Sequence, residues 1–115
     1  MRGVNKVGHF RIRYGRIYLP HMDYSVIVKR FDETVDGIRP TTVAFARDTE
    51  AGKVELFFKQ WVSPPTVAHE VTHAVQFICR RRGINMIEEI EHVAYMVDFM
   101  MAKVLGYRPE TDTRR

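Results

Sequence analysis

Apolar and polar positions alternate in short runs through the first half of the chain, whereas from about residue 63 onward the apolar positions recur every three or four residues. The first regime predicts strands. Phe10, Ile12 and Tyr14 alternate with Arg11 and Arg13, and Gly15-Arg16 is a candidate turn into Ile17-Tyr18-Leu19, which Pro20 ends. Tyr24 to Phe31 is rich in β-branched residues and reads as a strand, and Asp36-Gly37 marks a loop. Thr41 to Arg47 and Lys53 to Trp61 are two further strand candidates, and the short polar stretch Asp48 to Gly52 between them makes the pair look like a hairpin.

The second regime predicts two helices. Ser63 can cap the first, with Pro64 at its first position, where the missing N–H costs nothing, and Gly83 closes it after about Arg82 in the left-handed cap position. Asn85 followed by Glu88 resembles a capping box, with Asn in place of the commoner Ser or Thr, and opens a second helix through about Leu105. Its apolar stripe is Ile87, Ile90, Ala94, Val97, Met101 and Val104. Only Ile84 and the caps separate the two, which forces an antiparallel or sharply angled helix pair. Strands first and helices last predict an α+β fold: a mostly antiparallel N-terminal sheet followed by two packed helices. Residues 1–115 read as a single domain, with 107–115 a flexible tail.

Composition sharpens this picture in three ways. With 45% hydrophobic and 28% charged residues, the chain has enough apolar surface for one packed core and is neither a disordered tail nor a multidomain enzyme. The lone cysteine, Cys79, precludes an internal disulfide and suits a reducing compartment; no apolar run nears the roughly 20 residues of a membrane helix. A cytoplasmic protein without a membrane partner is the expectation. The net charge of +4 is unevenly placed, with Arg2, Lys6, Arg11, Arg13 and Arg16 near the start and Arg80-Arg81-Arg82 later. Such patches suit solvated faces and a helix C-terminus, whose dipole favours cations, and equally a nucleic acid or acidic partner.

The chemistry lies in His69-Glu70-Val71-Thr72-His73. A spacing of four sets the two imidazoles about 40° apart on one helix face, so that both can reach one Zn²⁺ at about 2.0 to 2.1 Å. Glu70 falls beside that face, where its carboxylate can take a proton from a water that the metal has acidified. A shuffled chain with five His and eight Glu in 115 residues would carry His-Glu-x-x-His with a chance of about 1 to 2%. The motif also sits inside an independently read helix, among Val67, Ala68, Val71, Ala74 and Val75.

A catalytic zinc site wants a third protein ligand and an open position. The metzincin continuation would need Gly at 76 and His at 79; the chain has Gln76 and Cys79. Cys79 lies about 240° around the helix from His73 and reads as a buried thiol. The third ligand must therefore come from the second helix, where Glu88, Glu89, Glu91, His92 and Asp98 compete. Measured from the centre of the apolar stripe, Asp98 lies about 60° away, Glu91 about 80°, Glu89 about 120°, Glu88 about 140° and His92 about 180°. A ligand reaching a neighbouring helix should border the stripe, which leaves Glu91 and Asp98. Glu88 is explained by the cap, and Glu89 and His92 by solvent.

Glu91-His92-Val93-Ala94-Tyr95 resembles the Glu-x-x-Ala-Tyr or Glu-x-x-Ala-Asn stretch that follows His-Glu-x-x-His in minimal gluzincins, among them the ImmA/IrrE-like peptidases and short metallopeptidase-like proteins of bacteriophages. The likeness covers about residues 67 to 100. It implies a small zincin-like domain with Zn²⁺ as cofactor and Glu91 as third ligand. ImmA-like proteins usually have Asn where Tyr95 stands, and the chain has no room for their accessory domains. On this reading Asp98 accepts the outer N–H of a ligand histidine, and Tyr95, one turn beyond Glu91, is a candidate for stabilising an oxyanion. A packing role for Tyr95, and for the Met-rich end Met96, Met100 and Met101, competes with these functional ones.

The expected function is a zinc metallopeptidase acting on a peptide or protein, with the substrate strand laid against a sheet edge within Lys53 to Trp61. The alternative is a zinc-stabilised, non-catalytic accessory protein of the phage-encoded kind, binding nucleic acid or a host factor through its basic surface. SprT-like DNA-associated proteases join the two ideas. Their third ligand is a histidine, whereas His92 is turned from the stripe and lacks the glycine expected after it.

Overall fold

The computed structural model describes residues 8–20, 22–31 and 42–107. Within them the order is β1 (Phe10–Arg11), β2 (Gly15–Leu19), β3 (Tyr24–Arg30), β4 (Ala44–Asp48), β5 (Val54–Phe58), β6 (Trp61–Val62), α1 (Pro64–Arg82) and α2 (Ile90–Leu105). The loop expected at Asp36-Gly37, the basic positions Arg2 and Lys6, and the tail from residue 108 lie outside the described residues.

Four strands form one sheet in the order β2-β3-β5-β4, and β1 pairs with β6 in a two-stranded ribbon. The expected hairpin of β4 and β5 is present, with Ala46 opposite Leu56. The sheet is mixed, however, because β3 and β5 run parallel, with Val28 opposite Leu56. β5 is thus a central strand, and β4 is the edge. The Lys53–Trp61 run breaks after Phe58: Trp61 turns away to pair with Arg11, while the Ile12 N–H reaches the Gln60 carbonyl at 2.9 Å. Gly15 is no hairpin turn either; at φ 130° it starts β2, opposite Val28.

Burial follows from position. All five residues of β5 are buried. Val54, Leu56 and Phe58 share the main core with Val67, Val71, Ala74, Val75 and Ile78 of α1, which recur at helical spacing along one face. On the opposite sheet face, Phe45 and Phe57 stack with ring centroids 4.5 Å apart, and Phe31 meets Phe45 edge-on. Glu55 lies beneath the cations of that face, 2.6 Å from Lys29 Nζ and 2.7 Å from Arg47 Nη2. Burial raises its pKa, but the hydrogen bonds and charges of Lys29 and Arg47 outweigh that and hold it below the usual carboxylate value.

Both ends of α1 obey local chemistry. Ser63 Oγ accepts from the Thr66 N–H at 3.4 Å, and Gly83 takes the left-handed conformation (φ 67°), donating to the Cys79 carbonyl. Of the basic cluster in the last turn, Arg81 donates to Asp48 Oδ1 and the Thr49 carbonyl, while Arg82 donates to the Asp23 carbonyl and lies over the Tyr24 ring. These contacts strap the end of α1 to the β4–β5 turn and to the start of β3.

α2 departs from expectation in its start and in its roll. Asn85 Oδ1 does accept from the Ile87 and Glu88 N–H groups, but the chain passes through turns at 86–89 before the helix begins at Ile90. Its buried positions include Val93, Met96, Met100 and Val104. That face is centred about 85° from the stripe read in the sequence. Ile90 is consequently 59% exposed, and Ile87, in the turn before the helix, is 87% exposed. No helix among the described residues is long and apolar enough to cross a membrane.

Candidate metal centre

The motif occupies the second and third turns of α1, where that helix passes beside the edge strand β4. His69 and His73 converge as the spacing predicts, with their Nε2 atoms 3.2 Å apart and their rings 4.8 Å apart. Two nitrogens held by one tetrahedral ion at about 2.0 to 2.1 Å would be separated by about 3.3 Å, so the pair has the spacing of a half-built site. A hydrogen bond between the two rings fits the same distance.

The His73 ring is oriented from its other side. Its Nδ1–H donates to Gln76 Oε1 at 3.1 Å, and its plane runs close to parallel with that of Phe77. In the neutral ring this leaves Nε2 as the acceptor, the form a metal needs. The sequence reading assigned the orienting role to Asp98; Gln76 was considered only as a departure from the metzincin pattern. Its separation of three residues from His73 on one helix was the available signal.

Glu70 is turned inward, 9% exposed, against β4. Burial raises its pKa; the charges of His69 and His73 and the Ala46 backbone N–H work in the opposite direction without cancelling the rise. A carboxylate held in this way is a better proton acceptor near neutrality than an exposed one. In front of it an open groove of about 360 Å³ runs between Thr42, Val43 and Ala44 on one side and Pro65, Thr66, His69 and Glu70 on the other.

The remaining expected site residues are elsewhere. Among the described residues no group of three or more His, Cys, Asp or Glu side chains is arranged to hold a metal. Glu91 is exposed in the first turn of α2, on the side opposite its buried face. Asp98 is half-buried near the other end of that helix, close enough to Tyr107 for its charge to raise the phenol's pKa after burial has done so. Tyr95 packs toward Phe99 and lines a small apolar recess with Leu19, Pro20, Met22 and Met96, which shares no residue with the groove at Glu70. His92 is not solvent-facing: its Nε2 is buried without a hydrogen-bond partner. The same roll of α2 that carries Glu91 outward sets His92 at the border of the buried face. Cys79 is 1% exposed, its thiol pKa raised by burial, as expected of a structural cysteine.

No family model, curated protein or solved structure matches the chain. The likeness to minimal gluzincins therefore rests on the residues of the two motifs.

Proposed function

We propose that the chain is a zinc-dependent peptidase. The observation that carries this reading is the 3.2 Å approach of the two Nε2 atoms, with buried Glu70 between their residues in the chain. His69 and His73 would hold the metal; the gluzincin resemblance implies Glu91 as the third ligand, which would require α2 to turn from the roll described above, where Glu91 faces outward. A bound zinc would supply an acidified water and polarise a scissile carbonyl. Glu70 takes the proton of the attacking water and passes it to the leaving amine, a transfer favoured by a pKa raised through burial. Gln76 keeps the His73 tautomer. Of the two edge strands among the described residues, β2 and β4, the one beside the groove is β4, which replaces the Lys53–Trp61 assignment because β5 is flanked on both sides. A peptide beside Thr42 to Ala44 would cross the groove in front of Glu70.

The test is zinc analysis of purified protein joined to a mixed-peptide cleavage assay. Wild type is expected to carry one zinc per chain and to cleave. His69→Ala and His73→Ala should each lose the metal, and Glu91→Ala should lose more than Asp98→Ala, because a removed ligand costs a bond whereas a removed supporting partner costs about 10- to 100-fold in affinity. If His92→Ala proves the costliest of the α2 variants, the ligand is His92 and the gluzincin assignment falls. Zinc without cleavage across a broad library would leave the non-catalytic accessory protein, acting on nucleic acid or a host factor, as the function.

A further inference from the structure

The roll of α2 leaves an apolar strip uncovered. Ile87, 87% exposed, and Ile90, 59% exposed, lead into exposed Ala94 and half-buried Val97 and Met101. From Ile90 to Met101 these follow the a and d spacing of a heptad over about 17 Å of the helix, with Val97 and Met101 partly packed against the core and Ile87 in the turn just before it. A straight seam of that spacing accepts a second helix better than an irregular surface. Its borders carry one sign of charge. Glu88, Glu89 and Glu91 are exposed around Ile87 and Ile90, and residues 85 to 102 contain no Lys or Arg, in a chain whose net charge is +4. Two copies meeting through this strip would bring like charges together, whereas a cationic partner would be attracted.

We infer that this face of α2 docks a basic amphipathic helix of another protein, with apolar residues in the seam and Lys or Arg on its flanks. The inference rests on the roll of α2 described above and not on the peptidase reading; neither isoleucine belongs to the metal centre, and Glu91 stands here on the acidic border of the strip. The probe is a labelled 21-residue peptide with Leu at a and d and Lys at e and g, compared with a twin carrying Glu at e and g, by fluorescence anisotropy on the full chain. The Lys peptide should bind, more weakly as salt rises, and the Glu twin should not. Combining Ile87→Ser with Ile90→Ser removes exposed side chains only; circular dichroism should be unchanged and affinity for the Lys peptide should drop about tenfold or more. Equal binding by wild type and double variant would reduce the effect to general charge attraction and overturn the inference. So would absence of binding to the Lys peptide. A wild-type dimer in sedimentation that the double variant abolishes would assign the strip to a second copy instead.

Discussion

Glu70 shows how one residue can serve chemistry at the expense of stability. Its folded-state pKa is raised by burial, so the native chain holds the proton more tightly than the unfolded one, and stability falls as pH rises from the ordinary value of 4.5 through the folded value. In zinc-free protein Glu70→Gln should therefore be more stable than wild type at pH 7 and indistinguishable from it below about pH 4, as read by denaturant unfolding. In zinc-loaded protein the same variant should keep the metal and lose about 10²- to 10⁴-fold in peptide cleavage, because Gln matches the shape but accepts no proton. Equal cleavage by the two proteins would remove Glu70 from the mechanism. The pairing of the two histidines was legible in the sequence because a spacing of four on a helix is a local fact. The hold of Gln76 on His73 was equally local and was missed for want of a partner to test it against. Glu70's contact with Ala46 was not legible, since it depends on which strand lies at the edge.

At the scale of elements, α1 was legible at both ends because caps are read from neighbouring residues. Gly83 at φ 67° is the clearest case: an added Cβ meets nothing within 4 Å, so the cost of Gly83→Ala is conformational, about 1 to 2 kcal/mol in unfolding free energy. A variant as stable as wild type would show that the left-handed cap contributes nothing. The roll of α2 was hidden for a different reason. Val93, Met96 and Met100 form a second apolar stripe beside the one read first, sharing Val104 with it, and periodicity alone ranks neither above the other. Packing against β2 and α1 decides. The parallel pairing of β3 with β5 was likewise out of reach, since it joins β3 to the second strand of the hairpin that follows, past the whole of β4. Its register places Lys29, Glu55 and Arg47 in adjacent strands, and Glu55→Gln should cost about 1 to 2 kcal/mol at pH 7, modest for a buried carboxylate because both cations are half exposed. Glu55 has a depressed folded pKa, so its contribution is present above the ordinary value of 4.5 and lost as pH falls through the folded value; the gap between variant and wild type should close there.

For the whole molecule, the two-layer arrangement of strands then helices was legible from the change in hydrophobic period, while the order of strands within the sheet was not. That order has a consequence for behaviour at high concentration. Among the described residues β4 presents an unpaired edge of the kind through which folded chains join into fibres. Buried Glu70 lies against that edge beside the Ala46 backbone, however, and places a carboxylate where a second sheet would have to approach. The carboxylate proposed as a base thus doubles as a gatekeeper against fibrillation. Glu70→Ala, which removes the polar side chain beside that edge, should raise light scattering and thioflavin binding in concentrated stocks, whereas Glu70→Gln, still polar and of the same shape, should leave them near the wild-type level.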